Sequence, residues 1–248
     1  MTQLDDYRRH LHELSDWIPF LLRESNLPGP RGNLELAQAV AREASARQVR
    51  TFLSIPTEQA PENTPQVFVV FCGVLSLGRL IAAGEKKHIA QLRRYASDPR
   101  WRIREAVAMA LQTIGDTDMS LLVRQMNHWC QGNWLEKRAA AAGLCEPRLL
   151  KDASVVKAVL NILDLITASM VGAGNRNAEA FRALRQGMGY CWSVAVAADL
   201  RVGKPLMERW LKSKDPDVRW LLKENLSKNR LVKADPRWVK SCIARLRS

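Results

Sequence analysis

Lysine and arginine side chains that can contact phosphate groups concentrate in two segments of this 248-residue chain. The chain holds 38 Lys plus Arg against 25 Asp plus Glu, a formal net charge of +13. Residues 85–104 have 7 basic and 2 acidic side chains, and residues 201–248 have 14 and 5, so the rest of the chain carries −1. Such clusters favour a polyanionic partner. The residues predicted to bind it are Lys86, Lys87, Arg93, Arg94, Arg100, Arg102, Arg104, Arg138, Lys212, Lys214, Arg219, Lys223, Lys228, Arg230 and Lys233.

Half of the eight tryptophans lie beside basic residues at expected helix starts: Trp101, Trp134, Trp220 and Trp238. An indole on the surface there can stack on a nucleic-acid base. The alternative is that each indole wedges between neighbouring helices and buries a large apolar area, and for any single tryptophan we favour this packing role. The core or an interface is the expected place of the other four, Trp17, Trp129, Trp192 and Trp210.

Recognised catalytic and metal-binding motifs are absent from the sequence. His10 and His12 are two residues apart, as are His128 and Cys130, and side chains at that spacing point away from each other on a helix. The chain has no C-x-x-C, H-E-x-x-H or G-x-S-x-G sequence and no phosphate-binding P-loop. We therefore predict no metal site and no cofactor.

Cysteine usage and hydropathy predict a folded cytoplasmic protein without a membrane partner. The five cysteines are odd in number and widely spaced, which fits reduced thiols better than a disulfide framework. The first residues are charged and lack the apolar core of a secretory signal. Residues 67–78 form the longest apolar run, and it is shorter than the roughly 20 residues that span a bilayer. This run is predicted to be a buried element.

Repeated helix starts indicate the elements that position the basic residues. Asp followed by Pro predicts a helix start, because the carboxylate caps free N–H groups and Pro fits the first turn. Such pairs occur at residues 98–99, 215–216 and 235–236. Residues 101–111 also match residues 134–144 at an offset of 33, with identical Trp, Ala, Ala and Leu. A spacing of this size indicates a two-helix repeat.

The rest of the chain is also predicted to be helical. Apolar spacing predicts a helix over residues 4–21 with a bend at Pro19, and another over residues 33–50 that its first residue caps. Residues 54–65 are predicted to form a loop. Residues 67–71 have β propensity but are assigned to a helix, because an isolated strand does not fit a helical chain. The other predicted helices span residues 85–96, 99–114, 118–129, 133–144, 152–169, 176–186, 189–198, 203–212, 216–227 and 235–246.

The stretch DPRWRIREAVAMALQTIGD at residues 98–116 resembles a HEAT repeat. Residues 27–41, 189–197 and 215–231 resemble parts of bacterial HEAT-repeat proteins that have no assigned function. The resemblance implies an all-α fold, a right-handed α-solenoid of HEAT-like antiparallel helix pairs. It also implies one domain over residues 1–248, in which residues 1–65 form a cap and residues 66–248 form the repeats.

A looser resemblance is to the HEAT-like DNA-alkylation-repair glycosylases, which bind duplex DNA. That likeness implies three catalytic candidates: Glu105 as a carboxylate that stabilises a cationic sugar, Arg138 as a phosphate clamp and Trp101 as an aromatic wall. The alternative is an ordinary ion pair between Glu105 and a neighbouring arginine. In HEAT units an arginine near the start of the second helix often pairs with an acidic residue, so Arg102, Arg104, Arg138 and Arg219 have the same alternative.

The predicted function is a non-enzymatic HEAT-repeat scaffold whose basic concave face binds a polyanion. The favoured polyanion is a nucleic acid, DNA or RNA, and DNA is preferred over RNA. A second hypothesis is a protein-interaction platform for an acidic partner. A third is the glycosylase-like enzyme.

Overall fold

A computed structural model describes residues 2–247, which fold as two compact units, the first ending at Thr117 and the second beginning at Asp118. Throughout the described residues the regular secondary structure is helical and contains no strand. This confirms the all-α prediction. Residues 1–65 are predicted to form the cap of a single domain, and the described residues of this segment belong to the unit that continues to Thr117.

The first unit is built around one long buried helix. Its helices are α1 (Gln3–Glu13), α2 (Ile18–Arg23), α3 (Leu34–Glu43), α4 (Ala46–Leu53), α5 (Pro65–Ala82), α6 (Ile89–Tyr95) and α7 (Trp101–Thr117). The backbone N–H of Val67 donates to the capping Thr64 hydroxyl, and Pro65 occupies the first turn, so α5 begins at residue 65. Helix α5 packs against α3, α4 and α7, and all of residues 67–78 are buried. The helix predicted over residues 67–71 and its buried position are both confirmed.

Helices α5 and α7 approach each other closely at Gly78. A Cβ atom added to this glycine would lie 2.5 Å from the carbonyl oxygen of Ala110 and 2.6 Å from its Cα. The backbone of α7 therefore occupies the space that any side chain at residue 78 would need.

The second unit is arranged around α11. Its helices are α8 (Met119–Trp129), α9 (Trp134–Leu144), α10 (Ala153–Met170), α11 (Glu179–Ala198), α12 (Leu200–Arg209), α13 (Pro216–Leu226), α14 (Asn229–Ala234) and α15 (Pro236–Arg247). Helix α11 packs against α9, α10, α12 and α13. Trp192, fully buried on α11, donates its indole N–H to the Thr167 hydroxyl at 3.0 Å. Asn225 joins α13 to α11, because its amide donates to Met188 O and accepts from the Ser193 N–H, each at 2.8 Å.

Several predicted helix boundaries are wrong. The helices predicted over 176–186 and 189–198 form one helix, α11. Gly189 does not end the helix: it is buried within α11, and its lack of a side chain lets the Trp220 ring pack close to the helix backbone. The predicted helix 33–50 is two helices, since Ser45 makes a capping box that starts α4. The predicted helix 4–21 is also two, α1 and α2, and Pro19 lies in the first turn of α2 instead of bending a continuous helix.

The predicted caps at the Asp-Pro pairs are confirmed at two sites. The Asp215 carboxylate accepts from the backbone N–H groups of residues 217 and 218 at 3.0 and 3.2 Å. Asp235 accepts from the N–H of Trp238 at 3.0 Å. At the third pair the Asp98 carboxylate accepts from the backbone N–H of Arg100 at 2.9 Å and also binds its guanidinium, and α7 begins two residues later than predicted.

Helices α5 and α10 are each 18 residues long and apolar enough, by length and composition, to cross a membrane. Within the fold, 78% of the apolar stretch of α5 and 44% of that of α10 are buried. A buried core helix of a soluble protein can have the same length and composition as a membrane-spanning helix.

Candidate polyanion-binding groove

Four basic side chains line an open groove in the second unit. The groove lies beside the turn Trp210–Lys212, α13 and α15, and has a volume of about 510 Å³. Its lining consists of Leu211 and four cations, Lys212, Lys214, Arg219 and Arg245. Three of these cations are among the predicted polyanion-binding residues, and α13 and α15 supply the two arginines.

The cap of α13 explains why these cations lie together. Asp215 caps the N-terminus of α13, so the helix begins at Pro216. Lys212 and Lys214 therefore lie just before α13, and Arg219 lies in its first turns. Lys223 follows Arg219 by four residues and therefore lies on the same side of the helix. The groove cations thus come from one short segment, with Arg245 added from α15.

The groove cations differ in how firmly they are held. Lys212 and Lys214 are exposed, and no ion pair to either is found in the described part of the chain. Arg219 is half-buried and donates to the carbonyl oxygen of Leu246. Arg245 Nη1 lies 2.9 Å from Glu208 Oε2, and this hydrogen bond, followed by one from Trp238, lowers the pKa of Glu208. Two exposed lysines therefore lie beside two guanidinium groups that hydrogen bonds orient.

A second hollow of about 490 Å³ also contains Arg219. Three of its other lining residues are apolar, namely Trp220, Ile243 and Leu246, and two are polar, Lys223 and Ser227. Arg219 thus lines both hollows. The combined surface offers charge for phosphate groups and apolar area for sugars or bases.

The acidic residues next to the groove lysines are bound by arginines of another segment. Arg176 Nη2 lies 2.5 Å from Asp215 Oδ2, and Arg176 Nη1 also binds Asp217. Arg185 Nε lies 2.7 Å from the other oxygen of Asp217. Hydrogen bonds from Arg176 lower the pKa of Asp215 to about 2. Both carboxylates therefore have arginine partners that are not groove residues.

The other predicted cations of the second unit line neither hollow. Lys228 Nζ lies 3.5 Å from Glu224 Oε2 in a helical ion pair. Arg230 and Lys233 on α14 are exposed, and Arg138 is half-buried on α9.

Three predicted cations of the first unit are buried and bonded within the fold. Arg100 donates from Nε and Nη2 to the Asp98 carboxylate at 2.9 and 2.7 Å. Arg102 Nε lies 3.1 Å from Glu62 Oε1. Arg104 Nη1 donates to the carbonyl oxygens of residues 98 and 99 at 2.8 and 2.7 Å. This burial favours a structural role for all three, since a buried guanidinium is stable only with such partners.

The remaining cations of that segment are more accessible. Lys86, Lys87 and Arg94 are exposed, and Arg93 is half-buried. Lys87 Nζ lies 3.0 Å from Glu85 Oε2, an exposed pair that holds the lysine weakly.

Two of the four candidate tryptophans pack inside the second unit. Trp134 contacts Phe181 edge to face, with 5.3 Å between ring centroids. The Arg185 guanidinium carbon lies 3.7 Å from the Trp220 ring centroid and covers one face of that ring. The packing role therefore describes both, although Trp220 also lines the second hollow.

Trp238 is half-buried and donates its indole N–H to Glu208 at 2.7 Å, whereas Trp101 is 46% exposed. Trp101 is thus the candidate whose indole reaches solvent most clearly. The core assignment is confirmed for Trp17, Trp129 and Trp192, which are buried, and Trp210 is half-buried with its N–H on Asp164.

Two of the three catalytic candidates line one pocket. Trp101 and Glu105 lie one helical turn apart on α7, and both border a pocket of the first unit. Arg138 belongs to α9 of the second unit. The aromatic and aliphatic residues that form the walls of the pocket, among them Phe68 and Phe71, were not predicted as site residues. The sequence signal that could have indicated this pocket is the Pro- and Gly-rich break at residues 27–32.

The described residues contain no group of three or more His, Cys, Asp or Glu side chains placed to hold a metal ion. All five cysteines are free and buried. Burial raises the pKa of the Cys72 thiol far above its usual range and that of Cys242 to about 11.

Comparison of the chain with protein-family models, with curated proteins and with solved structures gives no match. The function must therefore be inferred from the geometry of the chain itself.

Proposed function

We propose that this protein is a non-enzymatic scaffold of HEAT-like helical repeats that binds a polyanion, with DNA or RNA as the favoured ligand. The observation that supports the proposal is the groove lined by Lys212, Lys214, Arg219 and Arg245. The match between residues 101–111 and 134–144 supports the repeat, since α7 and α9 both begin at the matched tryptophan.

Phosphate neutralisation supplies the binding energy in this proposal. Each cation that contacts a phosphate releases condensed counterions, so the logarithm of the affinity falls with the logarithm of salt concentration by about 0.9 per contact on duplex DNA. The two hollows offer five cations, the fifth being Lys223. If all five contact phosphates, the expected slope is about −4.5.

The contacts are expected to be independent of base sequence. Lysines and arginines that reach phosphate carry no direct sequence information. The apolar residues Ile243 and Leu246 can pack against sugars, and Trp220 presents only part of its ring because Arg185 covers one face. A duplex of any sequence should therefore bind with similar affinity.

The test measures fluorescence anisotropy of a labelled DNA duplex, and of the matching RNA duplex, at salt concentrations from about 50 to 300 mM. The groove variant combines Lys212→Gln, Lys214→Gln and Lys223→Gln. The matched control combines Arg124→Gln, Lys151→Gln and Lys157→Gln, three exposed cations of the same unit that line neither hollow. Both variants lose three positive charges.

The groove variant should reduce the salt slope by about 2.7, because three contacts of about 0.9 each are lost. The control should keep the slope of the unaltered protein. Equal effects of the two variants, or no binding to either duplex at about 50 mM salt, would overturn the proposal. Groove-dependent binding of polyglutamate without binding of nucleic acid would favour the acidic-protein partner instead.

A further inference from the structure

A pocket in the first unit lies outside the groove and has no part in the proposed function. It has a volume of about 120 Å³ and opens to solvent. Loop residues 27–32, the start of α3, and helices α5 and α7 form its walls, and most of the lining is aliphatic or aromatic. The apolar walls are Leu27, Leu34, Phe68, Phe71 and Met109. Concave apolar pockets of this kind are the usual form of small-molecule sites.

Buried hydrogen bonds hold the walls in place. Arg102, only 7% exposed, donates through Nη2 to the carbonyl oxygen of Gly29 at 2.6 Å and to Asn63 Oδ1 at 3.0 Å. The N–H of Gly29 donates to the same Asn63 oxygen at 3.0 Å. Glu62 pairs with the guanidinium, so the buried charge is balanced. Because the loop is tied to the start of α7, a ligand would not have to order it.

The mouth of the pocket exposes a large aromatic surface. Trp101 is 46% exposed there, and the Arg102 guanidinium carbon lies 4.8 Å from its ring centroid. A bound molecule would cover part of this ring and remove its apolar area from water.

Gly32 keeps one wall open. A Cβ atom added at this residue would lie 3.4 and 3.7 Å from two ring carbons of Phe68, which is ordinary contact distance. The space beside this ring therefore exists because residue 32 has no side chain. A larger side chain there would occupy the place where a ligand can pack.

We infer that this pocket binds a neutral small molecule with one aromatic ring. An apolar cavity of about 150 Å³ takes up benzene, so an open pocket of about 120 Å³ is close in size to a single ring. The rings of Phe68 and Phe71 and the thioether of Met109 favour an aromatic ligand over a saturated one of equal size. Charged residues Arg31, Arg102 and Glu105 also border the pocket, but most of its lining is apolar, which disfavours burying an ion there.

The test uses p-cresol as the probe and 4-methylcyclohexanol as its saturated counterpart. The protein carries ¹³C-labelled methionine methyl groups, and the Met109 signal is identified by its loss in Met109→Leu. Titration with p-cresol should shift that signal with a Kd of about 0.1–1 mM, which is typical of a ligand of this size. The saturated alcohol should bind several-fold more weakly.

Gly32→Val fills the pocket without removing a wall, and it should abolish the shift. Trp101→Ala changes an exposed residue and should weaken binding several-fold while the protein stays folded. The control is Gly174→Val in the second unit, where an added Cβ meets nothing within 4 Å, and it should leave the Kd unchanged. The inference is overturned if the Met109 signal does not move at about 5 mM probe, if Gly32→Val responds like the unaltered protein, or if the two probes bind equally.

Discussion

Replacing Gly78 by alanine tests whether the backbones of α5 and α7 are in contact as described. The added Cβ would lie 2.5 Å from the carbonyl oxygen of Ala110 and 2.6 Å from its Cα. Ordinary contacts begin near 3.4 Å, so the two helices must separate by close to 1 Å. Backbone atoms cannot rotate away as side-chain ends can, and overpacking of this kind costs up to about 3 kcal/mol.

Alanine also gains about 1 kcal/mol over glycine within a helix. The expected net loss for Gly78→Ala is therefore about 2 kcal/mol in the free energy of unfolding. Gly73→Ala is the matched comparison on the same helix, because the atoms in its way all belong to side chains, which can shift: Leu53 Cδ2 at 2.8 Å, Leu53 Cγ at 2.9 Å and Phe52 Cβ at 3.1 Å. There a cost of about 1 kcal/mol is offset by the same gain in helix propensity, so the net change should be small.

Urea unfolding followed by far-ultraviolet circular dichroism measures both variants. The midpoint for Gly78→Ala should fall at an unchanged slope, whereas the midpoint for Gly73→Ala should stay near that of the unaltered protein. A Gly78→Ala protein as stable as the unaltered one, or more stable than Gly73→Ala, would show that α5 and α7 are not in backbone contact at this position.

Further predictions concern buried charges, pH and thiols. Arg100→Ala leaves the Asp98 carboxylate buried without its partner and should cost about 3–5 kcal/mol in urea unfolding, a loss that Asp98→Asn in the same chain should partly restore. The pKa of Asp215 is lowered to about 2 by Arg176, so this pair stabilises the fold above pH 3.8 and its contribution disappears as the pH falls through about 2. Urea midpoints measured from pH 6 downwards should show this loss, and Arg176→Gln should remove it; identical pH profiles would contradict the pairing. The buried cysteines should resist a thiol reagent in the folded protein and react at all five positions in guanidinium chloride, and rapid labelling of any of them in the folded state would contradict their burial.

Local signals in the sequence predicted the parts of the fold that local chemistry determines. Asp215 caps α13 as its Asp-Pro pair indicated, and residues 67–78 lie in a buried helix despite their β propensity. The helix α11 was wrongly divided because glycine in a sequence indicates a break, whereas Gly189 accommodates the ring of Trp220. That reason depends on a contact between distant residues, which periodicity does not contain.

The candidate sites divide in the same way. Charge counting located the cluster that contains Lys212 and Lys214, because net charge is a property of composition. It did not separate these lysines from Arg100 and Arg102, whose partners are set by packing. The pocket beside Gly32 was missed, since its walls come from three separate segments of the chain.

If the groove binds a polyanion as proposed, the arginine partners of Asp215 and Asp217 also affect how fast that ligand arrives. Arg176 and Arg185 compensate these two carboxylates, so the negative charges closest in sequence to the groove lysines cancel little of their electrostatic potential. A potential of one sign over a concave surface raises association rates with an oppositely charged ligand, and salt screens it over about 10 Å at 0.1 M. Loss of Arg176 would therefore slow the association of the ligand at low ionic strength, although Arg176 lines neither the groove nor the second hollow.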